Sequence, residues 1–300
     1  METGLKGNAS SSWLEHDPDR IYRTSKEELE SCLAEAEAIM RNEAAFLEVT
    51  GKVLFVGDTH GDFTITKEVS KRFFADKTQK VVFLGDYIDR APEDLGTSVP
   101  NVSYLMFLKC AFPGNIVLLK GNHEANYAIP CFPYEFRNEI ESQYPGFHGK
   151  FVKAFTQMPL MVAANNVIAS HGGIPKDYDL PKLRAMDKND LHAIEAITWS
   201  DPATSNTDRG AGMAFTADEL RIFLQNANAK LLVRGHDYNT LGMAIFNRTC
   251  LTLFSSRAYQ EMGNKGILIA SVENPISGLE DLLVESYQEN MWRRYDVKIL

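Results

Sequence analysis

Five times in this 300-residue chain, a short apolar run breaks off into glycine and then into residues that bind metal ions. Val53 to Val56 leads to Gly57-Asp58-Thr59-His60-Gly61-Asp62, and Val81 to Leu84 to Gly85-Asp86-Tyr87-Ile88-Asp89-Arg90. Ile116 to Leu119 passes through Lys120 into Gly121-Asn122-His123-Glu124. Val167 to Ala169 meets Ser170-His171-Gly172-Gly173, and Leu231 to Val233 meets Arg234-Gly235-His236-Asp237. Runs of this length and composition are strand signals. Glycine directly after a strand lets the backbone turn sharply and the next side chain reach inward. In open α/β sheets, loops from neighbouring strands converge at the carboxyl ends. The pattern therefore predicts an α/β domain whose site is assembled from several strand ends.

Helical stretches separate these runs. Ser25 with Glu28 forms a capping box ahead of Leu29, Leu33, Ala36 and Met40, which share one helix face. Thr216 with Glu219 opens another helix, running through Leu224. Gly242 to Phe246, Leu251 to Phe254 and Ile267 to Ala270 read as hairpin strands, so the sheets are expected to be mixed. Residues 1–24 are polar and expected to be poorly ordered. The expected division is a polar N-terminal segment with an accessory helix over residues 1–50 and one catalytic domain over 51–300.

The blocks contribute Asp58, His60, Asp86, Asn122, His171 and His236. This mixed oxygen and nitrogen set suits a pair of first-row divalent ions better than thiolate zinc or all-oxygen calcium. An aspartate bridging two ions holds them about 3.5–4 Å apart and lets a shared hydroxide form near neutral pH. A single Gly-Asp-x-His is equally compatible with a solvated turn, and Arg234 alone with a salt-bridge partner. Recurrence in one strand-glycine context is what argues against coincidence. His16, His148 and His192 lie outside the blocks and read as surface or hydrogen-bonded histidines.

The formal net charge of −9 repels nucleic acid and anionic membranes, so no partner of either kind is expected. A phosphate-bearing partner must be caught by local positive charge, from metal ions or paired arginines. Cys32, Cys110, Cys131 and Cys250 are scattered without a C-x-x-C pair, which fits a reducing compartment. No apolar stretch approaches the ~20 residues that cross a bilayer. A cytoplasmic location is expected, with the nucleus as the alternative.

In this order and at these intervals, GDTHGD, GDYIDR, GNHE, SHGG and RGH resemble the signature blocks of the phosphoprotein phosphatases, within the calcineurin-like metallophosphoesterases. The resemblance spans residues 50–272. Trp199-Ser200-Asp201-Pro202, Asp208-Arg209-Gly210 and Leu253-Phe254-Ser255 through Tyr259 match further landmarks of the protein-phosphatase branch. It implies a β-sandwich of mixed sheets flanked by helices. One ion would be bound by Asp58, His60 and Asp86, the other by Asp86, Asn122, His171 and His236. Manganese is the expected metal, with iron or zinc as alternatives. His123 would be the general acid, oriented by Asp89, while Arg90 and Arg209 hold the phosphate and Tyr259 lines the site. Phosphorylated proteins are the implied substrates and regulatory subunits the candidate partners.

These residue types suit the reaction. Cations offset the negative charge that shields a phosphate ester, and an imidazolium protonates a poor leaving group. Arginine's planar fork bonds two phosphate oxygens at once. The chain departs from the family where Ala91 replaces glycine before Pro92-Glu93-Asp94, along Ala125 to Pro130, and at Ser255-Ser256-Arg257-Ala258. No departure removes a ligand. Two other functions remain open here: hydrolysis of dinucleoside polyphosphates or other small phosphoesters, and a non-catalytic protein that keeps the fold to dock partners.

Overall fold

Alternation of apolar side chains along short strands decides the architecture. The computed structural model describes residues 11–204, 209–259 and 266–300. Its strands are β1 (Phe46–Val49), β2 (Val53–Val56), β3 (Lys80–Phe83), β4 (Ile116–Leu118), β5 (Met161–Ala164), β6 (Val167–Ser170) and β7 (Leu231–Arg234). Then come β8 (Met243–Ile245), β9 (Cys250–Thr252), β10 (Ile267–Val272), β11 (Leu283–Gln288), β12 (Met291–Arg294) and β13 (Lys298–Ile299). They form two mixed sheets, ordered β1-β5-β6-β7-β9-β8-β13 and β12-β11-β10-β2-β3-β4.

Val53, Phe55, Val82 and Leu84 of the second sheet meet Val162, Val167, Ala169, Leu231 and Val233 of the first in the sandwich interior. The intervening residues Leu54, Val56, Val81 and Phe83 turn outward, as a period of two requires. They are covered by α1 (Trp13–His16), α2 (Lys26–Arg41), α3 (Phe63–Ala75), α4 (Val99–Ala111), α5 (Phe136–Gln143) and α6 (His148–Thr156). On the far side, Ile168, Leu232 and Cys250 pack against α7 (Leu180–Arg184), α8 (Leu191–Thr198) and α9 (Ala217–Asn226). The fold is thus the expected α/β sandwich of mixed sheets between helical layers. Both capping boxes form, Ser25 with Glu28 on α2 and Thr216 with Glu219 on α9. No helix among the described residues is long and apolar enough to cross a membrane.

Two expectations need correction. Residues 11–24 are not disordered: α1 and a 3₁₀ turn over Pro18–Arg23 bury Leu14 and Ile21. Trp13 sits edge-on to Tyr104 and Phe107, and the Tyr104 hydroxyl donates to the Leu14 carbonyl at 2.6 Å. A few apolar anchors suffice to order a segment whose average is polar. Residues 1–10 lie outside the described residues. The second correction concerns β10. β8 and β9 form an antiparallel pair, but β10 crosses to the other sheet and runs antiparallel between β2 and β11. β1, which precedes residue 51, is an edge strand paired in parallel with β5.

Candidate metal centre and phosphate site

β2, β3 and β4 run parallel, as do β6 and β7, and the loops at their carboxyl ends bond to one another. The Thr59 and His60 amides donate to the Asp86 carbonyl at 3.2 and 2.8 Å. The His123 amide donates to Asp86 Oδ1, and the His236 amide to both Asp58 oxygens at 3.2 and 3.0 Å. Glu124 accepts from the amides of Gly121, Asp86 and Tyr87 at 2.8–3.0 Å, so one buried carboxylate joins two loops. Nothing local in the sequence marks that role.

This mutual bonding holds an unusual backbone. His60, Asp86 and His236 all have positive φ, at 39°, 54° and 66°, and Asp89 and Arg90 follow at 62° and 55°. Such conformations cost about 1–3 kcal/mol each and survive where surrounding contacts over-determine them. Two block glycines have a further purpose. A Cβ on Gly235 would stand 1.9 Å from Asp58 Oδ1, and one on Gly121 2.2 Å from Asp86 Oδ1. They admit carboxylates as well as turn the chain.

Asp86 lies at the centre. Its Oδ2 is 3.5 Å from His60 Nε2, 3.4 Å from His171 Nε2 and 4.0 Å from His123 Nε2. Two groups that share it could each hold a metal ion: His60 with Asp86 and His123, and Asp86 with His171 and His236. His60 Nδ1 faces the Ile88 carbonyl and His171 Nδ1 the Leu84 carbonyl, both at 3.0 Å. With Nδ1 held by a carbonyl, Nε2 is the nitrogen each ring turns toward Asp86. Asn122 Oδ1 is 3.0 Å from His171 Nε2 and 3.1 Å from His236 Nδ1, and His236 Nε2 has no hydrogen-bond partner. Turned over, the Asn122 amide nitrogen would stand 3.0–3.3 Å from acceptors on both histidines and Asp86, with two protons to share among them. The cluster is built to receive positive charge, as amide protons or as a cation.

Protonation agrees with that fit. Burial holds His60 and His236 well below the usual imidazole range, in the neutral form that ligates metals. Burial also opposes charge on His171, but Asp86 and Asp58 outweigh it and raise His171 to about 9. A cation would take the place of that proton. Burial pushes Asp58 up to about 7. Asp58 lies 3.7 Å from His171 Nδ1 and falls outside the His60 group, where His123 stands instead.

His123 Nδ1 meets Asp89 Oδ2 at 2.5 Å, and Asp89 Oδ1 accepts the Glu135 and Phe136 amides at 2.7 Å each. The pairing joins separate blocks. Cys131 is close to both side chains, and burial pushes its thiol pKa up. Arg90 NH1 donates to the Tyr259 hydroxyl at 2.9 Å. Arg209 Nε donates to Asp201 Oδ2 at 2.6 Å, and its NH2 to the His236 carbonyl at 3.2 Å. Arg234, fully buried, takes the other Asp201 oxygen at 2.6 Å. Asp201 is thus an arginine anchor that the sequence did not assign. Asp208 lies outside the described residues.

With this geometry in place, the calcineurin-like phosphoesterase profile matches residues 51–239. The chain belongs to that family. Within it, this phosphoesterase stands with the phosphoprotein phosphatases. It is 33% identical over 274 residues to a protein of Encephalitozoon cuniculi named a probable serine/threonine-protein phosphatase, covering 86% of this chain and 58% of that one. It is 32% identical over 231 residues to the serine/threonine-protein phosphatase 6 catalytic subunit of Caenorhabditis elegans, covering 72% and 68%. The chain therefore spans roughly three-fifths to two-thirds of the length of these relatives. A Saccharomyces cerevisiae protein serine/threonine phosphatase shares the fold, with a TM-score of 0.73 at 21% identity over 92% of this chain and 93% of that one.

Proposed function

We propose that this phosphoesterase hydrolyses phosphoserine and phosphothreonine esters in proteins, using two divalent ions. The observation that carries the proposal is Asp86, a buried carboxylate common to two groups of ligating atoms. Asp58, His60 and Asp86 would hold one ion, with Asp58 rather than the neighbouring His123 as its third ligand, and Asp86, Asn122, His171 and His236 would hold the other. Manganese, iron and zinc all accept this donor set, and manganese is our preferred choice. When bound, such ions draw charge from phosphoryl oxygens and lower the pKa of water.

The chain's own residues supply the rest. Arg90 and Arg209 would hold the phosphoryl oxygens with forked donors, one guanidinium bonded to Tyr259 and the other to Asp201. Asp89 accepts the Nδ1 proton of His123, which leaves Nε2 to carry the proton that passes to the departing serine oxygen. Phosphorylated proteins are the proposed substrates, with regulatory subunits as further partners. The test compares a phosphoserine peptide, a phosphotyrosine peptide and diadenosine tetraphosphate on metal-loaded protein. The largest kcat/KM should fall on the phosphoserine peptide. Preference for the dinucleotide would transfer the assignment to small phosphoesters.

A further inference from the structure

Two stretches that depart from the family pattern, Pro92-Glu93-Asp94 and Ser255-Ser256-Arg257-Ala258, meet in space. Arg257 joins them. Its NH1 donates to Asp94 Oδ2 at 3.0 Å. Its Nε and NH2 form a fork on Asp62, with contacts of 3.0–3.2 Å, and NH2 also reaches Thr64 Oγ1 at 3.2 Å. The Arg257 amide adds a 2.7 Å bond to Asp62 Oδ2. Asp62 is fully buried, ends the first block and caps α3 by accepting from the Ile65 amide.

These contacts close a ring. Arg257 opens the 3₁₀ turn Arg257–Tyr259, and the Tyr259 hydroxyl accepts from Arg90. Arg90 is followed, four residues on, by Asp94, which accepts from Arg257. Each end of the Arg90–Tyr259 contact is therefore carried by a segment that Arg257 holds. Asp89 and Arg90 both have positive φ, so their segment turns sharply and needs holding from outside.

We infer that Arg257 is a positioning residue for phosphate capture: it fixes the Tyr259 turn against the Asp94 segment and so sets where the Arg90 guanidinium points. The inference rests on the proposed phosphate role of Arg90. The two arms differ in strength. The Asp62 side chain is 0% exposed and receives a fork, whereas Asp94 is 60% exposed and its pairing is open to screening by salt. The Asp62 arm anchors the ring, and the Asp94 arm trims it.

The experiment titrates inorganic phosphate into metal-loaded wild type, Arg257→Met, Arg257→Lys and Asp94→Asn by calorimetry. It also measures kcat and KM on a phosphoserine peptide. Arg257→Met should weaken phosphate binding and raise KM together by about 3- to 30-fold, with kcat changed less than about threefold. Arg257→Lys should recover part of the loss, because lysine keeps the charge without the fork. Asp94→Asn should show a smaller loss that disappears in about 1 M salt. Arg257→Met that binds phosphate like wild type, or that lowers kcat at unchanged KM, would overturn the inference. Should Arg257→Met not fold, wild-type phosphate affinity in both Arg257→Lys and low-salt Asp94→Asn would overturn it equally. A wild type that ignores the peptide would count against the proposed substrate alone, because the phosphate titration still reads the ring.

Discussion

Asp86 and Asp201 each sit between two sets of nitrogen atoms, and the difference between those sets separates the candidate metal centre from scaffolding. Asp86 lies among histidine nitrogens aimed at a shared space, whereas Asp201 is bonded directly to Arg209 and Arg234. Burial opposes ionisation of Asp201, but the Arg234 and Arg209 guanidiniums outweigh it and hold the carboxyl well below its usual range. Asp201→Asn removes the carboxylate bonded to the buried Arg234 and leaves only the more distant Asp237 to offset its charge, so the cost should fall at or below the about 3–5 kcal/mol of a fully broken buried pair. Chemical denaturation should show that loss at neutral pH. A folded pKa below the unfolded value of about 4 places this stabilisation above that pH and removes it as pH falls further, so the two proteins should converge in acid. His123 permits a chemical test. His123→Asn should slow phosphoserine-peptide hydrolysis by about 10²–10⁴ and cost clearly less with a nitrophenyl ester, whose leaving group needs the proton less. Equal losses at full metal content would remove the general-acid role. The candidate ligands were legible because each lies within a few residues of its strand and glycine. Asp201 with Arg234 and Arg257 with Asp62 were not, because 33 and 195 residues separate the partners and neither pair leaves a local signature.

Among elements, caps and interior strands were readable because their determinants are contiguous. The α2 capping box is present with both reciprocal bonds, so Ser25→Ala should lower stability by about 1 kcal/mol in thermal or urea unfolding. Strand partners were less legible. Ile267 to Ala270 is equally apolar whichever sheet it joins, and its placement between β2 and β11 depends on chain paths the run itself does not encode. The strand-ending glycines were read as turns, yet the space around Gly235 is already taken by Asp58. Gly235→Ala should therefore displace Asp58 and the His236 amide and reduce metal retention. An unchanged metal content in that variant would show that Asp58 can move without consequence.

For the whole molecule, the sandwich brings loops from distant parts of the chain to one buried acidic and imidazole-rich centre inside a protein of net charge −9. A phosphate approaching such a surface is repelled at long range and is held only where charge is concentrated. The fold class followed from the rhythm of strands and helices. The ordering of residues 11–24 did not, because three anchors, Trp13, Leu14 and Ile21, are lost in a polar average. The proposed function depends on Asp86 serving two cations at once. The direct measurement is metal content per chain after chelation and reconstitution, in wild type and in Asp86→Asn. About two ions should bind the wild type and both should be weakened by the single substitution, as expected of a shared ligand. Wild type that saturates at one ion, or Asp86→Asn that retains both at undiminished affinity, would contradict the shared site.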